Sequence, residues 1–242
     1  TGLRGAEAVP AAEIGQLVLR RAGDRPLRLD ARGRLAMAGA GVEGHLDIGL
    51  GALAPDALLA LWPRAVVPRT RDWLDRNLLD GELRSARAGV VLRPGSRPRV
   101  GLSFGFDGAR VRPLRGLPVI EAGRGHGEVF DDSFTLTLDA GRATPPEGGA
   151  LDMSGLVFRM PDTTMRPPDG ELRWRSEGSV TAALSLLDQP PLRLMERTGR
   201  PVALAEGRAR LAGTIRFPMR GASPATIAYD LAGEIADLRS EE

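Results

Sequence analysis

Hydrophobic residues alternate with small or charged residues along most of this chain. Between residues 16 and 50 the apolar positions recur at every second residue, and turn sequences such as AGDRP and DARGR separate the runs. The same period returns after residue 83 and continues almost to the C-terminus. A period of two is typical of a β-strand with one buried face, so the pattern predicts about ten to twelve antiparallel strands.

The alternating residues are candidates for one apolar surface. Two architectures bury such strands: a sandwich of two facing sheets, or a long curved sheet that keeps an apolar trough. The pattern by itself leaves both open. The candidate lining residues are Val100, Leu102, Phe104, Phe106, Phe134, Leu136, Leu138, Leu156, Phe158, Leu211, Ile215 and Phe217.

A first helical block is predicted over residues 55–79, LAPDALLALWPRAVVPRTRDWLDRNLLDGEL with its flanks. Pro55 suits a first helical position, and the second proline of the block breaks the helix, because the residue before a proline disfavours helical geometry. A second helix begins at the third proline and is expected to stop at a glycine. We expect both tryptophans of the block to be buried at the end of the sheet. The residues with predicted structural roles are Trp62, Pro63, Pro68, Trp73 and Gly81.

A second helical block is predicted over residues 179–198, SVTAALSLLDQPPLRLMERT. Ser179 is a candidate N-cap, the Pro190-Pro191 pair interrupts the helix, and Gly199 ends it. Both blocks read as helix, proline break, helix, glycine and strand. Residues 53–92 and 179–217 are therefore candidates for a weak internal duplication.

Composition and charge argue against a nucleic-acid partner. All 33 basic residues are arginine, they are balanced by 31 acidic residues, and aromatic residues make up only 4%. A nucleic-acid-binding protein more often has a basic cluster with interleaved aromatic residues. No run of about 18 apolar residues occurs, so the sequence predicts no membrane-spanning helix.

The sequence offers little chemistry. There is no cysteine, and the two histidines, His45 and His126, have no second ligand at metal spacing. Asp131-Asp132 suits a turn, and the glycine-rich segment 122–128 lacks the context of a phosphate-binding loop, so we interpret it as a plain turn. No GxSxG sequence occurs. We therefore expect no catalytic residues, no metal and no cofactor, and interpret the chain as a protein that is not an enzyme.

Several segments resemble the central region of AsmA-like proteins of the YhdP and TamB kind, bridge-like lipid transfer proteins of Gram-negative bacteria, in particular an alphaproteobacterial branch. The resemblance extends over about residues 52–219. Its most specific part is W-P-x-x-x-x-P-x-T-R-x-W-L at residues 62–74, and its supporting strings include LSFGFDGARVRPLRGLPVIEAGRGHGEV and LDQPPLRLMERTGRPVALAEGRARLAGTIRFPM.

The resemblance implies an elongated curved antiparallel sheet with an apolar groove, braced by the two helical blocks. It implies a periplasmic segment of a longer protein that is anchored in the inner membrane and conducts phospholipid, or another acyl-chain lipid, toward the outer membrane. Adjoining segments of the parent chain would then be partners. The family provides no catalytic motif, and this sequence lacks the anchor and the outer-membrane segment of whole family members.

Arginines near strand ends are candidates for contact with phosphate head groups. Two other functions stay open: a structural spacer or protein-docking scaffold in the periplasm, and a β-sandwich carbohydrate-binding module or unrecognised hydrolase. A scaffold would show a closed dry core, whereas a carbohydrate binder or hydrolase would need exposed aromatic residues or carboxylates across a cleft. The candidate head-group arginines are Arg99, Arg110, Arg112 and Arg115.

Overall fold

The computed structural model describes residues 11–21, 27–39, 41–62, 64, 67–114, 116–190, 192–203, 206–221 and 225–239. This part of the chain is mainly β, as predicted. Twelve strands form one antiparallel sheet, and four short helices connect some of them. Almost every strand pairs with the strands that precede and follow it in the sequence, so the sheet is a meander.

The strands are long at most positions of the sheet. They are β1 Ala11–Arg21, β2 Leu27–Ala38, β3 Gly41–Leu50, β4 Leu78–Leu92, β5 Arg99–Val111, β6 Ile120–Phe130, β7 Ser133–Ala143, β8 Leu151–Asp152, β9 Leu156–Met160, β10 Asp169–Ser179, β11 Glu206–Pro218 and β12 Ala228–Arg239. The short β8 and β9 share one position, because each pairs with both β7 and β10. β1 and β12 form the two edges.

The helices all lie at one end of the sheet, which we call the helix end. They are α1 Pro55–Leu61, α2 Pro68–Asn77, α3 Val180–Leu187 and α4 Leu194–Thr198. The pair α1 and α2 joins β3 to β4, and the pair α3 and α4 joins β10 to β11. Since antiparallel strands reverse at each connection, both joins fall at the same end. At the opposite end, the turn end, the described residues form short connections and loops.

The sheet has two chemically different faces because successive side chains of a strand point to opposite sides. One face, which we call the apolar face, carries mainly Leu, Ile, Val, Phe, Ala and Gly side chains, and register partners on neighbouring strands share this face. The other face, the polar face, carries arginines and carboxylates. Opposite charges sit directly across from each other there, as at Glu171 and Arg216 and at Glu177 and Arg210.

Helix α3 covers the apolar face toward the helix end of β6 to β11. Ser179 caps it as predicted, since its Oγ accepts a hydrogen bond from the backbone N–H of Ala182. The buried cluster beneath it, which we call the helix-covered core, comprises Ile120, Leu138, Ala143, Leu151, Met153, Leu156, Trp174, Ala182 and Leu187. As predicted, the second block ends at Gly199, which adopts the left-handed conformation that favours glycine. Pro191 lies outside the described residues.

The first helical block differs from its prediction in three ways. Trp73 is exposed to 37% and Trp62 is half-buried, so the expectation that both are buried was wrong. The second helix ends at Asn77, because Leu78 already pairs with β5. Gly81 is therefore a strand residue of β4 and not a helix stop.

Close approach of two strands explains the glycine at position 81. Its φ is 128°, and a Cβ there would lie 2.8 Å from the Cα of Ala109 on β5. Only glycine fits both the angle and the space. Trp62 has the extended conformation expected before a proline, Pro68 occupies the start of α2 as predicted, and Pro63 lies outside the described residues.

The helix-covered core should dominate stability. We expect Leu138→Ala, at a side chain 4% exposed, to lower the free energy of unfolding by about 2–5 kcal/mol, because it leaves a cavity in packed surroundings. Trp73→Ala should cost only about 1 kcal/mol, since that ring is already partly in water. Urea denaturation of both variants measures the difference. A larger loss at Trp73 than at Leu138 would contradict this assignment of the core.

Candidate functional site

One line of register-paired residues crosses the apolar face without a polar interruption. Each residue is the direct partner of the next on the neighbouring strand, and together they come from ten strands. We call this line the central row. Its members, in order from β2 to β12, are Leu29, Leu50, Ala86, Phe104, Gly127, Leu136, Phe158, Leu172, Ile215 and Tyr229.

A second apolar line runs beside the central row, on its turn-end side. It joins seven strands: Ala31, Ile48, Ala88, Leu102, Val129, Phe134 and Met160. With strands about 4.8 Å apart, the central row spans roughly 43 Å. The two rows form an apolar band perpendicular to the strands.

Within the described residues, the larger side chains of this band are only partly covered, whereas Ala31, Ala86 and Gly127 are buried. Phe104, Leu136 and Phe158 are half-buried and lie outside the helix-covered core, whereas Leu172 and Ile215 pack against that core. At the β12 margin the band is more exposed, since Tyr229 is 46% exposed. The second helical block therefore lies beside the band over β6 to β11. It leaves Phe104, Leu136 and Phe158 partly exposed.

The predicted lining residues divide into two groups. Val100, Leu102, Phe104, Phe134, Leu136, Phe158 and Phe217 lie on the apolar face and are exposed or half-buried. Leu138 and Leu156 are 4% and 6% exposed in the helix-covered core, so their assignment to an open trough was wrong. Phe106, Leu211 and Ile215 are half-buried and pack against that core, at its border with the band.

Aromatic rings meet one another across the band. The ring centroids of Phe134 and Phe158 are 6.1 Å apart in an edge-to-face arrangement, and those of Phe158 and Phe217 are 6.5 Å apart and stacked. Aromatic pairs in this range attract beyond their burial. They give the middle of the band a continuous ring-lined stretch across β7, β9 and β11.

The accessible surface of the protein is large for its size. It measures 15890 Å², whereas a compact monomer of 25.8 kDa would have about 10,500 Å². Monomeric proteins rarely expose contiguous apolar patches larger than a few hundred Å², and such patches mark binding sites. The excess is consistent with a sheet whose apolar face has a second layer over only part of its area.

Comparisons of the chain with protein-family models, with curated proteins and with solved structures give no match. The likeness to AsmA-like proteins therefore stays a prediction from sequence. Within the described ranges, no helix combines the length and apolar character needed to span a membrane.

The glycine-rich segment is part of the site, which the sequence analysis missed. Residues 122–128 are not a turn but the middle of β6, and Gly123, Gly125 and Gly127 are buried on the apolar face. Their alternation with charged residues, GRGHGE, was the available signal, because it has the same period of two as the other strands. Asp131-Asp132 does form the predicted turn between β6 and β7.

Three buried side-chain atoms lack a hydrogen-bond partner among the described atoms, and one of them, the Nε of Arg71, is on α2. The Nε1 of Trp174 and the Oγ of Ser176, both on β10, have no hydrogen-bond partner among the described atoms. Each such group costs about 1–3 kcal/mol. The helix-covered core therefore stabilises the fold despite these costs, through its apolar packing.

Among the described residues, neither histidine belongs to a group of side chains that could bind a metal ion. His126 is exposed, and its Nδ1 lies 3.3 Å from a carboxylate oxygen of Asp139 on the polar face. His45 is exposed as well. Across the residues that the structure describes, no group of three or more candidate ligands is close enough to hold a metal ion.

Two of the four candidate head-group arginines have carboxylate partners. Arg99 donates to Asp131 at 2.8 Å, and a guanidinium nitrogen of Arg110 lies 3.8 Å from Glu121. These contacts weaken their assignment as phosphate ligands. Arg115 lies outside the described residues.

Arg112 lines a cavity of about 450 Å³ at the helix end, behind the C-terminus of α3. The other lining residues are Gly116, Leu117, Pro118, Thr144, Pro146 and Gln189. This lining combines one cation with a hydroxyl, an amide and apolar groups, and it contains no carboxylate or histidine for acid–base chemistry. The cavity is separate from the central row.

The carboxyl groups with lowered pKa lie at turns or on the polar face. Hydrogen bonds from Arg84, Ser154 and Thr164 lower the pKa of Asp107, Asp152 and Asp162 respectively. These groups tighten local structure, and the apolar band contains no comparable group among the described residues.

Glu171 is the most enclosed carboxylate of these ion pairs, with a side chain 15% exposed. Partial burial raises its pKa, but hydrogen bonds and charges from Arg216 and Arg173 outweigh that effect, and the pKa is lowered from its usual 4.5. A lowered pKa contributes stability above the unfolded value and loses it as pH falls through the folded value.

We expect the pH dependence of stability to change in Glu171→Gln. In the native protein, stability should decrease as pH falls below about 4.5, the usual pKa of the glutamate. The variant should be less stable at pH 7 and should lose less on acidification. Arg216→Gln, which removes the main cause of the lowered pKa, should flatten the profile in the same direction. Urea denaturation from pH 7 to pH 3 measures this, and unchanged profiles in both variants would contradict the assignment.

Proposed function

We propose that the apolar band is a hydrophobic groove segment that conducts phospholipid between the inner and outer membranes, without chemical reaction. The observation that supports this most directly is the central row, in which ten strands each contribute an apolar residue to one line. On the resemblance to AsmA-like proteins, we further propose a periplasmic location within a longer, inner-membrane-anchored protein.

The energetics favour an acyl chain as the occupant. Each methylene group removed from water gains roughly 0.8 kcal/mol. A row of about 43 Å is nearly three times the roughly 15 Å depth of one lipid leaflet, so an acyl chain can occupy many equivalent positions along it. Equivalent positions without a polar barrier let the chain slide and avoid one deep energy minimum.

The polar face supports the same function by keeping the sheet in water. Its charges form cross-strand pairs such as Arg32 with Asp47 and Arg210 with Glu177, which are well exposed. Exposed pairs of this kind contribute little stability, about 0–1 kcal/mol each. Their main effect is to make one side of the sheet unsuitable for lipid, so that only the apolar face binds.

A carbohydrate-binding module is less compatible with the band. Sugar hydroxyls require hydrogen-bonding partners beside the aromatic rings. The register neighbours of Phe158 in the central row are Leu136 and Leu172, which have none.

A docking scaffold remains the second candidate because of the sheet edges. Among the described strands, β1 and β12 each pair on one side, and neither strand contains a proline. Long unpaired edges can accept a strand from another chain. In that case binding would follow the edges, and the band would capture no lipid.

Photo-crosslinking distinguishes these functions. We expect a photoreactive side chain at Phe104 or Leu136 to capture phospholipid in cells, because both positions lie in the open part of the central row. The same group at Ser103 or Thr135 should capture little, since adjacent residues of a strand face opposite sides. Equal capture at inward and outward positions, or none at any, would contradict a lipid conduit.

A charge in the row should interrupt lipid binding more than folding. We expect Phe104→Asp to weaken capture of lipid by a reporter at Leu136, because a carboxylate in an open groove reaches water but breaks the apolar path. Ser103→Asp, on the polar face, is the matched control. Far-ultraviolet circular dichroism of both variants checks that the sheet is retained, and undiminished capture in Phe104→Asp would argue against a continuous path.

A further inference from the structure

The cavity at the helix end lies between three parts of the chain. One is the connection from β5 to β6, the second is the loop from β7 to β8, and the third is Gln189, just after α3. Its volume of about 450 Å³ falls within the range of small-molecule sites, roughly 300–1,000 Å³. The cavity has a wide mouth, so a ligand can enter from solvent without displacing part of the chain.

Hydrogen bonds to α3 hold two walls of this cavity in place. The backbone N–H of Glu147, in the loop after β7, donates to Oγ of Ser185 at 3.2 Å. In the same loop, the carbonyl oxygen of Gly148 accepts a hydrogen bond from Oγ of Ser179 at 2.7 Å. The Nε2 of Gln189 donates to the carbonyl oxygen of Ser185 at 3.0 Å. These walls are therefore formed before a ligand binds, which reduces the entropy cost of binding.

Arg112 is the one charged residue among the described residues that line the cavity. Its guanidinium makes no hydrogen bond or ion pair with the described residues, whereas Arg99 and Arg110 have carboxylate partners. The carboxylates of Glu147 and Asp188 are next to lining residues in the sequence, but neither lines the cavity. A guanidinium without a carboxylate partner favours an anionic ligand, and its planar N–H groups match the two oxygens of a carboxylate.

The remaining lining residues select among anions. Thr144 supplies a hydroxyl group, and the amide of Gln189, held through its nitrogen, can accept a hydrogen bond from an N–H group of a ligand. The side chains of Leu117, Pro118 and Pro146 supply apolar surface. Because no described lining residue is a carboxylate, an ammonium group on the ligand would lose hydration without gaining an opposite charge. The lining therefore fits a monocarboxylate with an amide group and a small apolar body.

We propose that this cavity binds a small organic monocarboxylate, whose carboxylate pairs with Arg112 and Thr144 and whose apolar body lies on Leu117, Pro118 and Pro146. The cavity is separate from the apolar band, so this site goes beyond the proposed lipid conduit and does not depend on it. An N-acylated amino acid with an aliphatic side chain carries the carboxylate, the amide and the apolar body together. N-acetyl-leucine is therefore a suitable probe of the site.

Ligand-detected NMR titration of the purified 242-residue chain with N-acetyl-leucine tests the site. We expect a Kd of about 1 mM, since a small ligand in an open cavity gains limited affinity. Arg112→Gln should weaken binding by about tenfold or more because it removes the charge, and Thr144→Val by about threefold because it removes one hydrogen bond. Arg142→Gln is the matched control and should bind as the native chain does. Arg142 is exposed, lies 3.9 Å from Glu121 and does not line the cavity.

A series of ligands separates recognition of this carboxylate from general attraction of anions. N-acetyl-leucinamide has the same body without the charge, and free leucine adds an ammonium group. Each should bind about tenfold more weakly than N-acetyl-leucine. Acetate, which lacks the apolar body, and inorganic phosphate should also bind more weakly.

The outcomes decide the proposal without reference to lipid. Equal binding of N-acetyl-leucine and its amide, or unchanged binding in Arg112→Gln, overturns the site. Tighter binding of phosphate or acetate than of N-acetyl-leucine overturns the assignment of the ligand class. If Arg112→Gln fails to fold by circular dichroism, Thr144→Val and the amide ligand decide: weaker binding in both supports the site, and equal binding in either overturns it. A chain that binds N-acetyl-leucine but captures no phospholipid contradicts the conduit alone.

Discussion

Antiparallel register is the constraint on which the rest of this protein depends. Side chains alternate between the two faces of a strand. A strand therefore presents its apolar residues to the central row in the observed register, and a shift of one residue would turn them to the other face. A slip of one residue would replace Leu29 by Asp30 or Arg28, and Phe158 by Arg159 or Val157. The opposite-charge pairs of the polar face favour the same register, since a slip would separate Glu171 from Arg216.

The protein buries its apolar face in two different ways. Toward the helix end of β6 to β11, α3 supplies a second layer with small residues such as Ala182 and Ala183, which are 0% and 2% exposed and let the helix approach closely. In the open band the larger side chains, Phe104, Leu136 and Phe158, stay half-buried. A closed core and an open apolar surface thus lie on one sheet, so the fold can be stable without the occupant of the band. That division of roles is compatible with a binding surface on a stable base, and under the proposed function lipid would substitute for the missing layer.

Local sequence signals predicted some elements well and others poorly. The cap at Ser179 and the stop at Gly199 are short-range backbone effects, and the structure has both. The burial of Trp73 is a tertiary property, and apolar character alone misassigned it. The glycines of β6 were interpreted as a turn because glycine usually breaks strands, whereas here they make room for rings of β5.

The sequence by itself determined that this protein is mainly β and antiparallel, since a period of two repeated through long segments permits little else. Except for the glycines of β6, it also determined which residues share the apolar face, because alternation assigns them without knowledge of neighbours. Only the tertiary structure decided which strands lie side by side, and hence that residues from Leu29 to Tyr229 join into one row. It alone decided that Leu138 and Leu156 are sealed under α3 while Phe104 and Leu136 are not. The physical reason is that alternation encodes the face of each residue, but coverage depends on where a distant helix packs, and no local pattern carries that information.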